Sequence, residues 1–123
     1  MRIHALQQQD VMILTPMEKN IDASIQDEFK TALHQAVDEG HNKLILDLSH
    51  VKFLDSSGLG VMVSTVKKLG NTGVLAFCGI QEQVAHVFSL TRLDRVFNIY
   101  PNKQVALDAL ATPVEDSTPK GEL

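Results

Sequence analysis

Apolar positions along the chain alternate between two spacings. Val11-Met12-Ile13-Leu14 is a short apolar run between polar residues, which predicts a strand. Ile3–Leu6 forms a weaker strand candidate, and the polar Gln7–Asp10 between the two suits a hairpin; Thr15-Pro16 ends the second strand. Ile25, Phe29, Leu33, Ala36 and Val37 then recur at helical spacing and form one apolar stripe. Asp22 and Ser24 are candidate N-caps for that helix, and Asp27-Glu28 puts negative charge near its first turn. Gly40 falls just past its end, where a left-handed residue is wanted.

Leu44-Ile45-Leu46-Asp47-Leu48 is almost continuously apolar, as expected of a strand covered on both faces. After Phe53-Leu54, the segment Asp55-Ser56-Ser57-Gly58-Leu59-Gly60 opens a second helix with the stripe Leu59, Met62, Val63, Val66 and Leu69. Lys67 and Lys68 sit at its negative end, and Gly70 closes it. The alternation then repeats. Val74–Cys78 reads as a buried strand, and Gln81–Leu90 as a helix with Val84, Val87 and Phe88 inward. Val96–Tyr100 reads as a strand stopped by Pro101, and Lys103–Leu110 as a last helix with Val105, Ala106, Leu107 and Leu110 available for packing. This order predicts one α/β domain over residues 1–111, with a mixed, mostly parallel sheet of about four to five strands and about four helices. Thr112–Leu123 carries prolines and charge but little apolar content, and reads as a flexible tail.

Composition narrows the function more than the fold. At 123 residues with 44% hydrophobic and 21% charged content, the chain can build its own core without disulfides or metal. The lone Cys78 lies inside an apolar strand and reads as a small buried hydrophobe, in keeping with a reducing, cytoplasmic setting. A net charge of −4 without a basic cluster argues against nucleic acid and anionic membranes as partners. No signal peptide is visible at the start, and no apolar run is long enough to insert in a bilayer.

Candidate chemistry concentrates in Asp47–Gly60, at the C-terminal end of a parallel strand, where open α/β sheets place their sites. Asp55 can cap the second helix, which puts Ser56 and Ser57 in its first turn beside unsatisfied N–H groups. A phosphate on either hydroxyl would meet the positive end of the helix dipole. Gly58 and Gly60 each cost about 1 kcal/mol of helix propensity relative to alanine, which suggests that another backbone approaches closely, either a neighbouring strand or a partner. The same residues are equally compatible with a simple helix cap and internal packing.

Asp55-Ser56-Ser57-Gly58-Leu59-Gly60, with Leu44–Ser49 and Val51–Leu54 before it, resembles the signature of the STAS domain, in particular of anti-sigma factor antagonists. Ile21-Asp22-Ala23 and the run Phe88–Phe97, followed by Ile99-Tyr100, resemble the family in the same order, so that the likeness spans about residues 3 to 111. The segment Thr15–Asp22 departs from it by lacking a glycine the family often has there. The resemblance implies a partner switch. The unmodified protein binds an anti-sigma factor, usually a serine kinase of the GHKL type. That kinase phosphorylates the serine after the motif aspartate, here Ser56 with Ser57 as runner-up, and a PPM-type phosphatase reverses the step. Asp55, Ser57, Gly58, Leu59, Gly60 and Met62 would form the motif and partner surface, with apolar exposure near Leu59 or Met62 completing it. No cofactor, metal or catalytic residue is implied. The alternative the family offers is a small soluble STAS subunit of a lipid or anion transport complex, without a phospho-switch.

Enzyme readings find little support in the residues. A serine nucleophile elbow would need glycine at position 54 or 55, where leucine and aspartate stand. Phosphorylation of Asp55 itself would need an acidic cluster at the first strand, which offers only Asp10. His4, His34, His41, His50 and His86 show no zinc spacing and read as surface or partly buried residues. Gly70-Asn71-Thr72-Gly73 lacks the Gly-Lys-Ser/Thr ending of a phosphate loop and reads as a turn.

Overall fold

The structure, a computed structural model, describes residues 1–112. A five-stranded sheet is built from β1 (Ile3–Gln8), β2 (Val11–Pro16), β4 (Lys43–Asp47), β6 (Val74–Cys78) and β7 (Asn98–Tyr100), in the order β1-β2-β4-β6-β7. A separate two-stranded pair joins β3 (Asn20–Ile21) to β5 (Phe53–Leu54) in parallel. The helices are α1 (Gln26–Asp38), α2 (Ser56–Leu69), α3 (Glu82–Leu90) and α4 (Lys103–Leu110). β1 and β2 form the expected antiparallel hairpin, and the remaining ladders are parallel.

From β2 the parallel strands are added in one direction across the sheet, so right-handed crossovers place every connecting helix on the same face. Alternation along the strands serves both faces. Leu14, Leu44, Leu46, Leu75 and Phe77 face α1, α2 and α3 and build the larger core with Phe29, Leu33, Met62, Val84 and Phe88. Val11, Ile13, Ile45, Ala76 and Cys78 point the other way, where Ala106 and Leu110 of α4 cover them. A near-continuous apolar strand such as Leu44–Leu46 follows from this double cover.

Several boundaries differ from the periodicity. Strand β7 starts at Asn98, because Leu93–Arg95 winds into a 3₁₀ turn and leaves Val96 65% exposed. Asp22 caps a 3₁₀ turn (Ala23–Ile25), its Oδ1 accepting from Ser24 N at 3.0 Å and Ser24 Oγ at 2.6 Å, and α1 follows at Gln26. Strand β2 runs through Thr15 and Pro16; Pro16 lies beyond the residues paired with β4, so its missing N–H breaks no ladder there. Gly40, at φ +97°, closes α1 as expected: its N–H reaches Val37 O and that of His41 reaches Ala36 O. In α4, Val105 is 41% exposed and packs less than its periodicity suggests.

The tail expected over residues 112–123 lies, from 113 onward, outside the described residues. Thr112 itself is tied down. Its N–H and Oγ1 both donate to Asp10, at 3.0 and 2.7 Å, and Lys43 Nζ reaches the same carboxylate at 2.7 Å. Lys43 first and Thr112 second hold the Asp10 carboxyl well below the usual carboxylate range.

Cys78 is 1% exposed, and burial, with Asp47 adding to it, pushes its thiol up to about 12. It therefore behaves as a core residue. Ellman's reagent is expected to leave the native protein unlabelled at pH 8 and to modify Cys78 only as fast as the domain unfolds; rapid labelling under native conditions would contradict this burial.

Candidate functional site at the start of the second helix

The path from β4 to α2 is set by backbone and side-chain hydrogen bonds. Asp47 is buried at the end of β4, and its Oδ1 accepts from Ser49 N at 3.0 Å, turning the chain out of the sheet. Val51 N bonds back to Leu48 O at 3.0 Å. Lys19 O then accepts from both Lys52 N and Phe53 N, and Asp55 N donates to Ile21 O at 3.2 Å. The β3–β5 pair thus clamps the chain immediately before α2. The upstream segment without the family's glycine supplies one of its two strands.

Asp55 takes an extended conformation and caps α2, its Oδ1 accepting from Ser57 N at 2.9 Å and Gly58 N at 3.4 Å. Ser56 is the first helical residue and is exposed, while Ser57 is half-buried. Since the cap is made by the aspartate, neither serine hydroxyl is needed for it.

The two glycines have different surroundings. A Cβ on Gly58 would stand 2.3 Å from Leu54 Cδ1 and 2.9 Å from Ile21 Cγ2, so this glycine admits the β3–β5 pair against the helix. A Cβ on Gly60 would meet nothing within 4 Å. Gly60 lies one turn beyond Ser56, on the same exposed face. Gly58→Ala is therefore expected to destabilise the fold by about 1 kcal/mol net, overpacking outweighing the gain in helix propensity. Gly60→Ala is expected to stabilise it by about 1 kcal/mol. Urea denaturation should show midpoints moving in opposite directions, and a shared direction would refute this distinction.

One expectation is corrected. Leu59 and Met62 are 8% and 0% exposed and belong to the core, because the helix turns their side chains onto the sheet. The apolar exposure expected near them is instead found at Phe53, 42% exposed, three residues before Ser56. Phe53 was missed as a surface candidate, and the sequence carried no signal for it: Phe53 and Leu54 are both apolar, and only the fold turns Leu54 inward and Phe53 outward. Helix α2 also buries Val61 and Thr65, outside the stripe read from the sequence. Thr65 Oγ1 satisfies itself on Val61 O at 2.8 Å.

On its flank facing α1, α2 is linked through Ser64 Oγ to His34 Nε2 at 3.1 Å and through Lys68 Nζ to Asp38 Oδ1 at 2.9 Å. Burial first, then Lys30 and Lys68, hold the His34 imidazole below its ordinary pKa. No helix among the described residues is long and apolar enough to cross a membrane.

A parallel sheet added in one direction, with an aspartate-capped helix offering an exposed serine at the end of a central strand, defines a small α/β module with its candidate site at a helix start. The STAS domain profile matches residues 2–106, and the chain belongs to that family. It is 35% identical over 102 residues to a Thermotoga neapolitana protein named as an anti-sigma factor antagonist homologue, covering 81% of this chain and 89% of that one. The crystal structure of an anti-sigma factor antagonist from Mycobacterium paratuberculosis superposes with a TM-score of 0.82 at 27% identity, covering 89% of this chain and 92% of that one. The Bacillus cell-fate determinant SpoIIAA in its phosphorylated form shares the fold, with a TM-score of 0.67 at 15% identity over 88% of this chain and 98% of that one.

Proposed function

We propose that this protein is an anti-sigma factor antagonist, a non-enzymatic cytoplasmic regulator whose partner binding is switched by phosphorylation of Ser56. In this reading the unmodified form docks an anti-sigma factor that is also a GHKL-type serine kinase, and a PPM-type phosphatase restores it. The relatives' names support the general role. The observation that carries the switch is the placement of Ser56: exposed, first in α2, with the capping work already done by Asp55. Gly60 adds an open strip of helix one turn away, where a partner's backbone can come close. Phe53 contributes apolar surface at the same edge. Leu59 and Met62 support this surface from beneath.

The same placement argues that a phosphate acts on the partner surface and not on the fold. It would enter solvent beside the helix N-terminus, where the dipole offsets part of the repulsion from Asp55. The test is mass spectrometry of the full chain purified from its host, and after incubation with the host's candidate kinase and ATP. Phosphoserine at position 56 is expected; modification confined to Ser57, or none at all, would overturn the assignment.

A further inference from the structure

The two edges of the main sheet differ. β7 is three residues long and is stopped by Pro101, a blunted edge. β1 is six residues long, and Ile3-His4-Ala5-Leu6-Gln7-Gln8 contains no lysine, arginine, acidic residue or proline to discourage pairing. Among the described residues its outer side is unpaired. Leu6, 41% exposed, sits in the middle of it.

The ladder to β2 determines which β1 groups point outward. Met17 N donates to Arg2 O at 2.9 Å, in the same register as the Ile3↔Pro16 to Gln8↔Val11 pairs. In an antiparallel ladder hydrogen-bonded pairs alternate, so His4, Leu6 and Gln8 spend their backbone groups on Thr15, Ile13 and Val11. Ile3, Ala5 and Gln7 are left with N–H and C=O directed away from the sheet. These three positions are symmetric about Ala5.

We propose that β1 is a homodimerisation edge: two copies pair antiparallel about a two-fold axis through Ala5 and form one continuous sheet. In this register Ala5 faces Ala5 of the second copy, and Ile3 faces Gln7 of the second copy on either side of the axis. Each pair exchanges two N–H···O bonds, so the three pairs Ile3/Gln7, Ala5/Ala5 and Gln7/Ile3 use every outward backbone group of the strand's centre. The central residue is alanine, so no large side chains collide at the axis. On the face covered by α4, Leu6 lies directly across from His4 of the second copy, and the exposed leucine is covered. Self-complementarity about one residue is what an isologous interface requires and what a strand from an unrelated partner would not need. Ser56 stands on α2, which packs on α1, β5 and β6, so this pairing is separate from the proposed partner surface.

An edge-to-edge contact of this length is small, and the dissociation constant is expected on the order of 100 µM. The test uses the full chain. Sedimentation equilibrium from about 10 µM to about 1 mM should show the mass rising from one chain toward two. Amide exchange by NMR should show Ala5 and Gln7 protected at the high concentration and open at the low one. Ala5→Pro removes an outward N–H that β2 does not use, and Ala5→Lys places two ammonium groups face to face at the axis. Both should raise the dissociation constant at least tenfold, with the far-ultraviolet spectrum unchanged; if the proline variant fails to fold, the lysine variant carries the test. A single-chain mass at every concentration overturns the proposal. So does a dimer whose Ala5 and Gln7 amides exchange freely or one that persists in Ala5→Lys, since another surface would then be used. Protection of those amides in a monomer also overturns it, by showing that another segment of the same chain covers the edge.

Discussion

Ser56→Asp is expected to bind the proposed partner, an anti-sigma factor kinase of the host, at least about 100-fold more weakly than the unmodified protein, while Ser56→Ala binds as tightly. Ser56 is exposed, with Gly60 open one turn along the same helix face. A partner that closes over this strip must strip water from whatever residue 56 carries. A hydroxyl or a methyl costs little to cover, whereas an uncompensated charge in a dry contact costs about 3–5 kcal/mol. Phosphate, at about −1.5 to −2 charges, should have the larger effect of the two. Stability separates this from a folding defect. Aspartate at the first helical position gains a few tenths of a kcal/mol from the dipole and loses a similar amount to Asp55, so the urea midpoint should hardly move. Titration calorimetry with the purified kinase, alongside urea denaturation of each variant, gives both numbers. Equal affinities for Ser56→Asp and the unmodified protein would refute the switch.

Phe77→Ala is expected to cost about 3–5 kcal/mol, a large fraction of the 5–15 kcal/mol that stabilises a domain of this kind. Phe77 is fully buried on β6 and stacks on Phe97 at 4.4 Å between ring centroids and 23° between planes. It also meets Phe88 edge-on at 5.7 Å, and Phe88 meets Phe97 at 5.4 Å. The three rings join the sheet, α3 and the turn before β7, so each is held by a different piece of backbone. A cavity at the centre of such a cluster cannot collapse cheaply, which places the cost toward the upper end of the range. The segment Phe88–Phe97, one of the blocks that resemble the family, thereby acquires a structural purpose: its two aromatic ends close on Phe77. A loss below about 1.5 kcal/mol by urea denaturation would mean the cluster is not packed as described.

Most of the architecture was legible because burial leaves a strong local trace. Leu44–Leu48 read as a strand covered on both faces, Val74–Cys78 as a buried strand, and the stripe of Phe29, Leu33 and Ala36 as a helix face. The cap at Asp55 was legible for a different reason, its local character, since its carboxylate bonds two N–H groups within three residues. The β3–β5 pair was not legible. Two residues on each side carry no periodicity, and what makes them strands is the contact between Asn20-Ile21 and Phe53-Leu54, distant in sequence.

The glycines mark the division most clearly. Sequence alone determined that Gly58 and Gly60 weaken α2, because propensity depends on the residue and its immediate neighbours, and it left open whether anything approaches the helix there. Only the tertiary structure decided that Ile21 and Leu54 fill the space at Gly58 while Gly60 faces open solvent. It likewise decided that Leu59 and Met62 are core and Phe53 is surface. The physical reason is that helical and strand periods reveal which side chains share a face, whereas which face is covered depends on the elements folded against it.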